Sequence, residues 1–191
     1  VTSGDDFATK VFGEGLPTTS EEVFYLKTSM TDSKTWDYLS YTAHPQYKYD
    51  GVNTVCKTGY YTHYTDLNNP VIKNWDEKDL RRSLNIAHYA FSASTYGENT
   101  CLLLKYRAPN ASGSKAQIDI PLLRYTDVLL TYAEACARTG EMSNAVNALN
   151  QIKRRAYGAD PMVANPELDY KASDYADYDQ FFYGALLNEE R

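Results

Sequence analysis

Residues 121–135, PLLRYTDVLLTYAEA, and residues 148–156, ALNQIKRRA, stand either side of Gly140, and this stretch decides how the chain folds. Over 122–139, Leu122, Tyr125, Leu129, Tyr132 and Cys136 recur every three or four positions, which stacks them along one face of a helix. Gly140 supplies the stop, because glycine enters the left-handed backbone region without a steric cost. Ser143 then reads as the cap of a second helix running to about Tyr157, ahead of Gly158, with Ala145, Val146, Leu149, Ile152 and Ala156 facing inward. A connection of so few residues folds the second helix back antiparallel to the first. Ala133 and Ala145 allow the backbones to approach closely, while Leu129, Tyr132, Leu149 and Ile152 fill the space between them. This is the spacing of one tetratricopeptide-like repeat.

The charges on these helices have a structural reading. Arg124 and Asp127, three positions apart, pair along the helix, and together with Glu134 they are expected to fix packing, not to touch ligand. Lys153, Arg154 and Arg155 are expected to form a solvated helix end near the negative pole of the helix dipole.

As literal strings, these two segments closely resemble the SusD/RagB family of outer-membrane nutrient-binding lipoproteins. Three further stretches keep the family's order: SEEVF (20–24), DLRR (79–82) with LKY (104–106), and LLNEER (186–191). The resemblance implies the C-terminal portion of a longer protein. The family's lipid-bearing N-terminal cysteine and first helical repeats have no counterpart here, and family members continue past the position of Arg191. It also implies capture of oligosaccharides or polysaccharides, or of peptides in some members, at the outer-membrane surface. Delivery to a SusC-like TonB-dependent transporter follows from the same resemblance, without catalysis. Contact with the membrane would then be made only through an N-terminal lipid anchor that these residues do not include.

Composition is consistent with that class. The 191 residues are 43% hydrophobic, enough for a sizeable core, and a net charge of -6 repels both nucleic-acid phosphates and anionic lipid headgroups. No apolar run reaches the 18 residues of a membrane span, and the first ten residues lack the layout of a signal peptide. Cys56, Cys101 and Cys136 show no CxxC spacing; Cys136 reads as a small buried thiol, and whether Cys56 and Cys101 are bonded stays open. His44, His63 and His88 form no metal-binding motif, and no nucleophile-elbow or phosphate-loop pattern occurs, so no metal or cofactor is expected. Among 25 acidic residues no carboxylate pair is singled out for glycoside hydrolysis.

The composition is unusual in its 18 tyrosines against 6 phenylalanines. Tyrosine joins a flat apolar face to a polar edge, which suits a surface that stacks on ligand. Many of these residues fall in 31–70, a long stretch without helical period, of the kind that tends to be functional. Within it Trp36, Tyr38, Tyr41, Tyr61 and Tyr64 are the expected stacking platform for a neutral glycan.

Residues 1–20 read as loop, 22–28 as a strand, 76–82 as a short charged helix, 84–91 and 101–106 as strands, and 108–115 as loop. Asp177 caps a third helix carrying Phe181, Phe182, Ala185 and Leu186, which reaches Arg191 without a stop signal. The expected fold is mainly α with irregular loops and a few short strands: a loop-rich ligand-binding region over 1–120 and tetratricopeptide-like helices over 121–191. An incomplete repeat array would leave apolar surface exposed. The competing classes are a helical-repeat scaffold that binds protein and a glycoside hydrolase fragment.

Overall fold

The computed structural model describes residues 4–29, 31, 48–49, 53–54, 64–88, 100–103, 105–106, 108 and 117–190. By compactness the chain divides into a helical unit, Ser20–Phe24 with Leu123–Arg191, and a mixed unit, Ser3–Thr19 with Tyr25–Leu122.

The helical unit is built on the expected hairpin, with its start shifted. Leu122 lies in a strand, Ile120–Arg124, and the first helix is Tyr125–Arg138. The strand ends where Arg124, still extended, donates its backbone N–H to the Asp127 carboxylate at 2.7 Å. Asp127 thereby satisfies a donor at the helix start, and its negative charge suits that end of the dipole.

The buried face also differs from the one expected. Thr126, Ala133, Cys136 and Ala137 are buried, with Leu129 and Leu130 packed partly against the same core, whereas Tyr125 and Tyr132 stay 47% and 51% exposed. The seam follows the small residues: Ala133 and Ala145 are both fully buried in one cluster, and a tyrosine ring would hold two helices apart there. Tyr125, Val128 and Tyr132 are left as an exposed stripe.

Gly140, at φ +84°, closes the first helix through bonds from its own N–H to the Ala137 carbonyl and from the Glu141 N–H to the Cys136 carbonyl. Glu141 also opens the second helix, Met142–Ala156, by accepting from the N–H groups of Asn144 and Ala145. Ser143 is therefore inside the first turn and is not the cap, because the glycine turn uses so few residues that its last one is already the next helix's N-cap. Ala145, Val146, Leu149, Ile152 and Ala156 are buried as expected, and Gly158 at φ +74° repeats the closing arrangement.

The third helix begins as read. The Asp177 carboxylate accepts from the Gln180 N–H at 2.9 Å, and Phe181, Ala185 and Leu186 are fully buried in the hairpin's core. After Tyr178–Phe181 the backbone widens into a π-turn, Phe182–Leu186, before Leu187–Glu190. Gly184 lies in this turn, where a Cβ would stand 3.1 Å from the Tyr175 ring. Tyr175 meets Phe181 edge to face at 5.6 Å. Each buried Leu, Ile or Phe here contributes about 1.5–3 kcal/mol over its exposed state, so the apolar contacts hold this unit together.

In the mixed unit, residues 1–20 are not all loop: Gly4–Lys10 is helical. Its signal was weak because Phe7 and Phe12, both buried, are five residues apart and Gly, Asp and Thr dilute the pattern. Lys10 and Asp6 add an i,i+4 ion pair at 2.8 Å. The helix expected over 76–82 starts later, as Leu80–Asn85 behind the cap Asp79, and the strand expected over 84–91 is Ile86–His88. That strand (β5) and Tyr64–Asp66 (β4) flank Thr100–Leu103 (β6) in an antiparallel sheet ordered β4, β6, β5. Lys48–Tyr49 (β2) and Asn53–Thr54 (β3) form a further antiparallel pair. The strand expected over 22–28 is Glu22–Leu26 (β1), paired with Ile120–Arg124 (β7). Just beyond it, Asp119 accepts from the Thr28 N–H and the Lys27 ammonium at 3.0 and 2.9 Å. Cys101 and Cys136 are buried, and Cys56 lies outside the described residues.

Candidate functional site

Of the five aromatic residues read as a stacking platform, Trp36, Tyr38, Tyr41 and Tyr61 lie outside the described residues. Tyr64 is the first residue of β4, paired in register with Leu102, and the next pair matches Thr65 to the fully buried Cys101. The chain leaves β4 through a tight turn: the Asp66 carboxylate accepts from the Asn68 N–H at 2.7 Å, and its carbonyl from the Asn69 N–H at 2.9 Å. Asn69 in turn caps the short helix Pro70–Lys73. The Tyr64 backbone thus belongs to a hydrogen-bonded sheet and precedes a closed turn, which fixes its position.

A second aromatic residue of this unit, Trp75, was not singled out from sequence. Its indole N–H donates to Asp79 at 3.1 Å, and Asp79, 3% exposed, also accepts from the Arg81 backbone and guanidinium. One carboxylate therefore caps a helix, neutralises an arginine and orients a tryptophan. The polar edge of Trp75 is engaged in this way.

The charged residues of the family-like strings converge on packing. Arg155 pairs with Glu21 and donates to the Thr126 hydroxyl at 2.7 Å, which itself donates to Glu21 at 3.3 Å. This cluster joins residues from three segments far apart in sequence. Glu134 accepts from Arg138 at 2.8 Å and from the Tyr178 hydroxyl at 2.9 Å, and these bonds, the arginine's first, hold its carboxyl below the ordinary range. The Arg138 guanidinium lies 4.1 Å from the Tyr178 ring centre, tying the third helix to the first.

The three basic residues expected to form a solvated helix end do not form one. Arg154 is 6% exposed and donates from Nε to Asp169 at 2.6 Å, from its second terminal nitrogen to the other Asp169 oxygen, and to the Pro161 carbonyl at 3.0 Å. Hydrogen bonding from Arg154 lowers the Asp169 pKa, and the partner raises that of Arg154. Lys153 stands 3.7 Å above the Tyr170 ring centre. Asn150 bonds the Tyr170 backbone in both directions, at 3.0 and 2.8 Å, and the Tyr170 hydroxyl donates to Glu189 at 2.9 Å. The partners lie in the loop after the helix and, for Arg155, at positions 21 and 126, so nothing in the local sequence points to them. Among the described residues no group of three or more His, Cys, Asp or Glu could hold a metal ion, and no helix is long and apolar enough to cross a membrane.

The profile of the SusD family matches residues 53–178, most of the chain and the whole hairpin. The chain belongs to the SusD family. Solved relatives share the fold of this SusD-family chain at low identity. A SusD superfamily protein from Bacteroides fragilis matches with a TM-score of 0.66 and 21% identity, covering 97% of this chain and 40% of its own. A SusD homolog from Bacteroides thetaiotaomicron gives 0.60 and 20%, covering 100% and 41%. A surface glycan-binding protein A from Bacteroides uniformis gives 0.57 and 17%, covering 90% and 34%. The chain therefore spans about two fifths or less of the length of these relatives. No curated protein matches it. The expected fold, mainly helical with a few short strands, is the one found.

Proposed function

We propose that this SusD-family chain is part of a cell-surface glycan-binding protein that passes oligosaccharides or polysaccharides to a SusC-like TonB-dependent transporter of the outer membrane. The observation that carries the reading is the family match over residues 53–178. It is supported by the shared fold of a relative described as a surface glycan-binding protein. The role is non-catalytic capture, and an N-terminal lipid on the full-length protein holds it at the surface. Residues 1–120 carry the ligand-binding region and 121–191 the helical support. Within the first, Trp36, Tyr38, Tyr41, Tyr61 and Tyr64 stack on the apolar faces of neutral sugar rings, with hydroxyl edges left to bond sugar oxygens. The net charge of -6 favours a neutral ligand over a polyanionic one.

The test is calorimetry of the full-length protein against a panel of neutral polysaccharides and of peptides, with reducing-sugar release followed in parallel. Saturable heat with a polysaccharide and no sugar release is the expected result. Binding confined to peptides would move the ligand class, and sugar release would overturn the non-catalytic reading.

A further inference from the structure

We draw no further inference here: the strongest candidate, the exposed apolar stripe of Tyr125, Val128 and Tyr132 along the first helix of the helical unit, carries nothing because nothing in the structure shows what covers it.

Discussion

Replacing Asp169 by alanine leaves the buried Arg154 guanidinium with one protein acceptor, the Pro161 carbonyl, in place of three. Two charge-assisted hydrogen bonds are lost, each worth about 1.5–3 kcal/mol, and a buried charge loses its counter-charge. The side chains of Arg154 and Asp169 are 7% and 14% exposed, so water makes up little of the loss. The Asn165 N–H, which donates to the same carboxylate at 3.0 Å, loses its acceptor too. The expected cost is about 3–5 kcal/mol, which for a chain of this size lowers the melting temperature by roughly 6–20 °C.

The pH dependence has a definite sign. Because the folded-state pKa of Asp169 is depressed, its contribution is fully present above the unfolded carboxylate pKa of about 3.9 and fades as pH falls through the folded value. Thermal melts of parent and Asp169→Ala should therefore differ widely at neutral pH and converge below about pH 4. An apolar pair, Arg154→Met with Asp169→Leu, should recover much of the loss, since it removes both charges together. A single variant that melts within a degree or two of the parent, or a gap that does not narrow in acid, would refute this account of the pair.

Three smaller perturbations test the helical unit, each read by chemical denaturation. Ala145→Leu inserts three carbons at a fully buried seam position and should cost about 1–3 kcal/mol; parental stability would mean that the helices do not meet there. Gly140→Ala forces a side chain into φ +84° with no steric neighbour within 4 Å, so its cost of about 1–2 kcal/mol is purely backbone, and no loss would contradict the left-handed turn. Asp177→Ala removes the cap of the third helix for about 1 kcal/mol, whereas Asp177→Asn should keep most of the stability; equal losses in both would argue against a capping role.

The helical unit was legible where local chemistry decides structure. Gly140 and Gly158 announce helix ends, Asp177 announces a start, and the apolar period around Leu149 and Ile152 marks a face. The first helix is legible as a helix, but its period admits two neighbouring faces, and the choice falls to the alanines, which allow close packing, and not to the larger tyrosines. Leu122 belongs to the strand for a related reason: a strand that runs straight into a helix leaves no break in apolar pattern. Arg154 and Arg155 could not be read correctly, since a basic helix end is ordinarily solvated and their partners come from elsewhere in the chain. The platform rests on residue type in a stretch without period. Tyr64 alone among its five members has a described backbone position, at the start of β4.

The proposed glycan platform is tested most directly by calorimetry of the full-length protein carrying Trp36→Ala and Tyr61→Ala together. Each stacked ring contributes on the order of 1 kcal/mol, so the double variant should bind a polysaccharide ligand of the parent protein about tenfold or more weakly, with its melting temperature preserved. Unchanged glycan affinity accompanied by a lower melting temperature would assign these rings to the core and rule out the platform.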